Sequence, residues 1–126
     1  MEENYSNGIL HGVCKVYYSN GQLKAETHYK SGVVDGPGKS FYKDGILMET
    51  LNYKNGKQDG PCKAYDMKGV LRFDLFFKDG IPDGEVKKYH ENGKLQFLDL
   101  YKHKERISRK TYDKNGKLVS TEDFKD

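Results

Sequence analysis

Glycine recurs in this chain at a fixed interval of 24 residues, and this period limits the architecture more than any other feature. The first two series have four members each: Gly8, Gly32, Gly56, Gly80, and Gly12, Gly36, Gly60, Gly84. The third has five members and ends with a step of 23: Gly21, Gly45, Gly69, Gly93 and Gly116. Repeats of this length are typical of stacked architectures, in which each unit packs mainly on its neighbours.

The glycines divide one predicted domain, residues 1–126, into five repeats: 7–30, 31–54, 55–78, 79–102 and 103–125. A leucine follows each third-series glycine by two residues: Leu23, Leu47, Leu71, Leu95 and Leu118. An aromatic residue follows each leucine by six: Tyr29, Tyr53, Phe77, Tyr101 and Phe124. Of the 14 glycines, Gly38 alone lies outside the three series.

The composition predicts a thin structure with a shallow core. Hydrophobic residues make up 35% of the chain and charged residues 33%, while ten tyrosines and six phenylalanines can form the buried layer of a small sheet. The net charge of +3 is too small to indicate nucleic-acid binding. The start of the sequence lacks the features of a signal peptide, and no apolar run could span a membrane, so we expect a cytoplasmic protein.

Short aromatic segments between glycine-containing turns are typical of β-strands. Each repeat therefore predicts one β-hairpin, and the whole chain an all-β, elongated, single-layer antiparallel meander of about ten strands. The final repeat lacks both glycines of the connecting loop over residues 103–109, so we expect that connection to differ in shape.

The turn between the two strands of each repeat sets the register. A two-residue type I′ turn would force Lys68 into positive φ, whereas a three-residue type I turn closed by glycine tolerates all five sequences. This turn places an aromatic row opposite the leucines: Tyr17, Phe41, Tyr65, Tyr89 and Tyr112. We expect both rows to share one face with the aromatic residues that end each repeat.

The repeat pattern YxxxGxLxxxxxY(K)xGxxxG, as in residues 17–36 and 65–84, resembles the MORN repeat, and specifically the bacterial variant of the YwqK family of antitoxins. The resemblance covers nearly the whole chain. It implies a single-layer sheet of stacked hairpins without catalytic residues, acting as an antitoxin or immunity component or as a protein- or membrane-binding platform.

Residues with reactive or metal-binding side chains form no constellation that predicts an enzyme, a metal site or a cofactor. The two cysteines, Cys14 and Cys62, occupy equivalent positions four predicted strands apart, or about 19 Å, which is too far for a disulfide bond. The four histidines fall at four different repeat positions. Aspartates before loop glycines, Asp35, Asp59 and Asp83, are explained by capping of their own turns better than by calcium binding.

One lysine precedes each aromatic residue of the first row by two positions: Lys15, Lys39, Lys63, Lys87 and Lys110. Strand alternation predicts that these lysines share the face of that row. The row could bind anionic lipid headgroups or nucleic acid, or its lysines could lay their methylene groups over apolar neighbours and discourage aggregation.

Repeats three and four carry apolar residues where the earlier repeats are polar. Glu26, His28, Thr50 and Asn52 give way to Phe76, Leu98 and Leu100. We expect this patch on the face opposite the leucines, beside Asp74 and Arg72, where it could bind a partner or be covered by a terminal segment. A second candidate patch, expected on the leucine face, consists of Phe73, Phe97 and Tyr101.

We therefore predict a non-catalytic module that binds another protein, such as a toxin encoded nearby, by stoichiometric occlusion. The alternative is a peripheral module for anionic membranes or a structural scaffold, using the lysine row. Self-association is a further expectation, because the sheet has open end strands.

Overall fold

A computed structural model describes residues 5–6 and 8–124. The described residues form strands and turns and contain no helix. The strands are β1 (Tyr5–Ser6), β2 (Ile9–Leu10), β3 (Gly12–Tyr17), β4 (Leu23–Lys30), β5 (Val33–Val34), β6 (Gly36–Phe41), β7 (Leu47–Lys54), β8 (Lys57–Gln58), β9 (Gly60–Tyr65), β10 (Leu71–Lys78), β11 (Ile81–Pro82), β12 (Gly84–Tyr89), β13 (Leu95–Lys102), β14 (Glu105–Tyr112) and β15 (Leu118–Asp123).

Ten long strands form one open antiparallel sheet, in the order β15-β14-β13-β12-β10-β9-β7-β6-β4-β3. The short strands β5, β8 and β11 each pair with the long strand that precedes them, and β1 and β2 form a separate two-stranded sheet. This arrangement confirms the all-β meander of hairpins. The first predicted repeat boundary, Asn7, and the last, Lys125, lie outside the described residues.

The turns within the repeats have the predicted three-residue geometry. In the first, the Gly21 amide donates to the Tyr18 carbonyl at 3.0 Å, the Tyr18 amide donates to the Gln22 carbonyl at 2.8 Å, and Gly21 has φ of 89°. The same bonds recur at the other four turns. Tyr17 consequently pairs with Leu23, as predicted, and the equivalent aromatic–leucine pairs recur in every repeat.

The turns between repeats are tight two-residue turns. Two consecutive residues have positive φ in each, beginning with Ser31 (52°) and Gly32 (82°), as a type I′ turn requires. The last turn keeps this backbone although His103 (51°) and Lys104 (70°) occupy it. The predicted difference in shape follows after the turn, where β14 runs without the break that separates β5 from β6.

A β-bulge follows each leucine, which the sequence analysis did not predict. In the first repeat Tyr17 pairs with Leu23 but Val16 pairs with Ala25, so Lys24 is the extra residue. The other repeats have equivalent shifts. The bulge reverses the alternation of faces, because every residue after it is displaced by one position relative to the partner strand.

The two faces of the sheet are therefore assigned differently from the prediction. We call the face that carries Lys15 and Tyr17 the lysine face; Leu23 lies on it opposite Tyr17. We call the face that carries Cys14 the cysteine face; Tyr29 lies on it opposite Gly12, two residues before Cys14. The prediction that the aromatic residues ending each repeat share the leucine face is wrong: Tyr29, Tyr53, Phe77, Tyr101 and Phe124.

The most buried positions all lie on the cysteine face. Cys14 and Cys62 are 7% and 8% exposed, Asp99 is 5% exposed, and Gly38 is buried in the same cross-strand row. Among the described residues no side chain is completely buried, as expected of a single layer. The fold therefore depends on backbone pairing and on half-buried rows of side chains rather than on a deep core.

Candidate interaction surfaces

The lysine face carries the predicted lysine row as a continuous cross-strand ladder. Direct pairing across neighbouring strands connects Lys15, Glu26, Lys39, Thr50, Lys63, Asp74, Lys87, Leu98, Lys110 and Thr121 in this order. The shared face of the five lysines is confirmed. Glu26 and Asp74 each lie between two lysines and partly compensate their charge, because neighbouring strands are only about 4.8 Å apart.

The first predicted patch lies on the lysine face, and its expected position opposite the leucines is wrong. Leu98 belongs to the lysine ladder, Leu100 lies two residues further along β13, and Phe76 lies two residues after Asp74. Asp74 is beside the patch as predicted, but Arg72 is not. Phe76 is 46% exposed and borders a hollow of about 360 Å³ that Pro61, Asp74, Asp83, Glu85 and Lys87 also line.

The second predicted patch lies on the cysteine face rather than on the leucine face. Phe73 and Phe97 both pair with Lys88, whose ammonium group is 5.7 Å and 5.8 Å from their ring centres. The Arg109 guanidinium stacks on Phe97 at 4.1 Å. Aromatic rings and cations thus alternate across β10, β12, β13 and β14. Tyr101 lies on the same face nearer the turns between repeats, opposite Gly84.

An ion pair between the buried Asp99 and the half-buried Arg109 on the cysteine face was not predicted. Asp99 accepts two hydrogen bonds from Arg109, Nε to Oδ1 at 2.8 Å and Nη2 to Oδ2 at 2.9 Å, and Arg106 Nη1 is 3.8 Å from Oδ2. The hydrogen bond to Asp99 raises the pKa of Arg109. The sequence signal was the carboxylate itself, because the equivalent positions of the first three repeats hold Thr27, Leu51 and Leu75.

A second unpredicted feature is a ladder of side-chain donors along the turn edge. The hydroxyls of Tyr18 and Tyr42 donate to main-chain oxygens of the next repeat, those of Phe41 at 2.6 Å and Tyr65 at 2.8 Å. Repeat three has Asp66 at this position, and a carboxylate cannot donate. There Arg72 Nε donates to Tyr89 O at 2.8 Å instead.

In repeat four a histidine takes the tyrosine position of this ladder. His90 Nε2 lies 2.9 Å from Tyr112 O. Since a carbonyl oxygen only accepts, Nε2 carries the proton. Asp66, which cannot take part in this ladder, accepts hydrogen bonds from the amides of Lys68 and Val70. These hydrogen bonds lower the pKa of Asp66, and the one from Val70 has the larger effect.

The loop aspartates cap a different turn from the one predicted. Asp35 Oδ1 accepts from the Asn55 amide at 3.1 Å, and Asp59 Oδ2 from the Asp79 amide at 3.5 Å. Each caps the tight turn of the following repeat, so the prediction that they cap their own turns is wrong for these two. Within the described range, no three histidine, cysteine or acidic side chains are grouped as a metal site would require.

The cysteines are free thiols, as predicted, and both are buried. They lie on β3 and β9, which are separated by three strands of the sheet. Burial raises the pKa of the Cys62 thiol, and the carboxylates of Glu49 and Asp74 raise it further. A buried thiol with a raised pKa is a packing group rather than a nucleophile.

The described part of the chain contains no helix, and therefore none that could cross a membrane.

Comparison with known proteins identifies the repeat. A search of curated proteins found no match. The sequence profile of the MORN repeat variant matches residues 10–31, 34–55, 82–103 and 108–126. It does not match residues 56–81, which contain the hairpin of β9 and β10. The MORN repeat is a non-catalytic binding repeat that mediates protein or membrane interactions. Four matched segments covering more than half of its length show that the chain belongs to the MORN repeat variant family.

Proposed function

We propose that this chain binds another protein through the lysine face, with Phe76, Leu98 and Leu100 as the apolar contacts. The observation that carries the proposal is the exposed ring of Phe76 beside an open hollow of about 360 Å³. Exposed apolar patches commonly mark interaction sites, and a few anchoring side chains supply most of the binding free energy at protein interfaces.

The repeat itself does not require an apolar side chain at position 76. At the equivalent positions His28 Nδ1 lies 2.7 Å from Pro37 O, and Asn52 Nδ2 donates to Asp59 O at 2.7 Å. These polar side chains stabilise the loop that follows. A phenylalanine cannot make that bond. Phe76 therefore lacks this structural contact and presents exposed apolar surface instead.

The charges around the hollow indicate the kind of surface that would complement it. Three carboxylates, Asp74, Asp83 and Glu85, line it together with one lysine, Lys87. A partner with basic residues around an apolar contact is therefore favoured. The finer form of the proposal is an antitoxin or immunity protein of the bacterial cytoplasm, which neutralises a toxin by covering its active surface.

The test begins with the products of neighbouring genes, purified and titrated against this chain by calorimetry. The substitutions F76N, L98T and L100N introduce the residues that repeat two holds at these positions, Asn52 and Thr50, so the fold should tolerate them. We expect F76N or L100N to weaken binding at least about thirtyfold, the equivalent of roughly 2 kcal/mol. The control F73A alters the opposite face and should leave the affinity unchanged.

Three other results would contradict this assignment. Unchanged affinity in folded F76N, L98T and L100N variants would exclude the patch. Loss of binding in F73A and F97A instead would assign the site to the cysteine face. Salt-sensitive binding to anionic vesicles that K39A and K63A abolish, without any protein partner, would favour the membrane alternative. Self-association remains a prediction, which light scattering over a range of concentrations tests.

A further inference from the structure

A hollow lies at the turn edge of the cysteine face. Its volume is about 450 Å³, and its lining includes Arg72, Lys88, His90, Gln96 and Lys114. These residues come from β10, β12 and β13 and from the turns that follow β12 and β14. The hollow is thus assembled from three successive repeats and is separate from the patch around Phe76.

Positive charge dominates this hollow. Arg72, Lys88 and Lys114 are cationic, and Glu91 is the one carboxylate in the lining. Asn92 and Gln96 contribute neutral hydrogen-bonding groups. Several cations facing one concave space attract an anion more strongly than the same charges spread over a flat surface.

Lys88 and His90 of this hollow are not general features of the hairpin repeat. At the position of Lys88 the other repeats hold Val16, Ser40, Ala64 and Thr111, which are all uncharged. The ladder position of His90 is held by Tyr18, Tyr42, Asp66 and Asp113. Lys88 and His90 are therefore particular to repeat four, whereas the positions of Arg72 and Lys114 also hold lysines in earlier repeats, Lys24 and Lys43.

Existing contacts hold the side chains of Arg72 and His90 and the ammonium group of Lys88 in place. Arg72 uses Nε for the bond to Tyr89 O, which leaves its terminal amino groups, with Nη1 3.8 Å from Asp66 Oδ2. His90 is fixed through Nε2 by Tyr112 O. The Lys88 ammonium lies between the rings of Phe73 and Phe97. Donors fixed in advance lose little freedom when an anion binds.

We propose that this hollow is a binding site for a phosphate group, contacted by Arg72, Lys88 and Lys114. A forked guanidinium and two ammonium groups provide the charge and the hydrogen-bond donors that a phosphate dianion requires. The phosphate can belong to a small soluble metabolite or to a phosphorylated side chain, and the experiment distinguishes these sources.

The test titrates the whole chain with inorganic phosphate and with a phosphoserine peptide, at constant ionic strength maintained with sodium chloride. Amide and imidazole resonances report binding by nuclear magnetic resonance. We expect saturable shifts around residues 88–92. The variant K88A, which introduces the residue that Ala64 provides in repeat three, should weaken binding at least about tenfold. The matched control K15A removes a lysine from the opposite face and should have no effect.

The relative affinities identify the source of the phosphate. Binding of the peptide at least about tenfold tighter than inorganic phosphate would assign the site to a phosphorylated protein, and equal affinities would assign it to a small metabolite. Shifts that do not saturate, or equal affinities of K88A and the unaltered chain, would overturn the proposal. Neither result depends on the Phe76 patch, because F76N should bind phosphate normally.

Discussion

His90 donates a hydrogen bond from Nε2 to the main-chain oxygen of Tyr112 at 2.9 Å, in the position where the first two repeats use a tyrosine hydroxyl. This equivalence predicts that H90Y preserves the bond between repeats, whereas H90F removes it and leaves the Tyr112 carbonyl without that donor. We expect H90F to lower the free energy of unfolding by about 1 kcal/mol and H90Y to change it by less than about 0.5 kcal/mol. Urea unfolding followed by circular dichroism measures both, and equal losses would disprove the equivalence.

The ion pair of Asp99 and Arg109 predicts a strong dependence of each residue on the other. D99L alone should cost about 2 to 3 kcal/mol, because the guanidinium loses its buried partner. The double variant D99L/R109V introduces the kind of pair found at Leu75 and Val86 and should recover most of that loss. A double variant no more stable than D99L would show that the pair contributes through packing alone.

The turn at His103 and Lys104 predicts a simple stabilising change. Lys104 has φ of 70°, where the four preceding repeats have glycine. K104G should raise the free energy of unfolding by about 0.5 to 1 kcal/mol, because it relieves a left-handed conformation at a side chain with a Cβ atom. The reverse change, G80K, should lower it by about 1 to 2 kcal/mol. Chemical denaturation of both variants checks the sign, and a destabilised K104G would contradict the prediction.

The raised pKa of Cys62 predicts a loss of stability in alkaline solution. Burial, Glu49 and Asp74 keep the thiol protonated in the folded state above its ordinary pKa, while the unfolded chain ionises first. The contribution is complete below the unfolded pKa and is lost as pH rises towards the folded one. C62V introduces the residue that Val86 provides in the same row and lacks a titrating group there. The free energy of unfolding of the unaltered protein, relative to that of C62V, should therefore fall between about pH 7 and about pH 10.

The hairpin turns and the first pair of each hairpin could be predicted from the sequence because they rest on local chemistry. Lys68 excludes a two-residue turn, and a glycine in the bulge position then fixes Tyr65 opposite Leu71. These features involve few residues and strong conformational preferences. They sufficed to establish the number of long strands and the antiparallel meander.

The predicted assignment of faces is wrong because the bulge that follows each leucine has no sequence signature. Its extra residues are Lys24, Met48, Arg72, Gln96 and Val119, which share neither charge nor shape. In β10, apolar residues at 71, 73, 75 and 77 are typical of uninterrupted alternation. The backbone nevertheless bulges there, so Leu71 and Phe73 lie on opposite faces.

The candidate surfaces were predictable only as lists of unusual residues. Phe76 and Leu98 could be identified because they depart from the polar residues of earlier repeats. The hollow that contains Lys88 and Lys114 could not, since its residues are separated in sequence and meet only across three repeats. Comparison of Lys88 with Ala64 would have revealed the change in charge, but not the residues that surround it.

Gly38, the one glycine outside the three periodic series, gives the sharpest test of the register. It lies in a regular part of β6, without the positive φ of Gly36, and an added Cβ would meet the Glu26 main-chain oxygen at an ordinary 3.5 Å. Its equivalents in other repeats are Cys14, Cys62, Val86 and Arg109, so the row has room for a side chain. G38A should therefore stabilise the protein by about 0.5 kcal/mol, because glycine weakens a strand interior. G36A, two residues earlier at φ of 103°, should destabilise it by about 1 to 2 kcal/mol. Opposite signs in urea unfolding of these variants would support the register, whereas a loss in both would mean that the row around Gly38 is packed too closely to accept a methyl group.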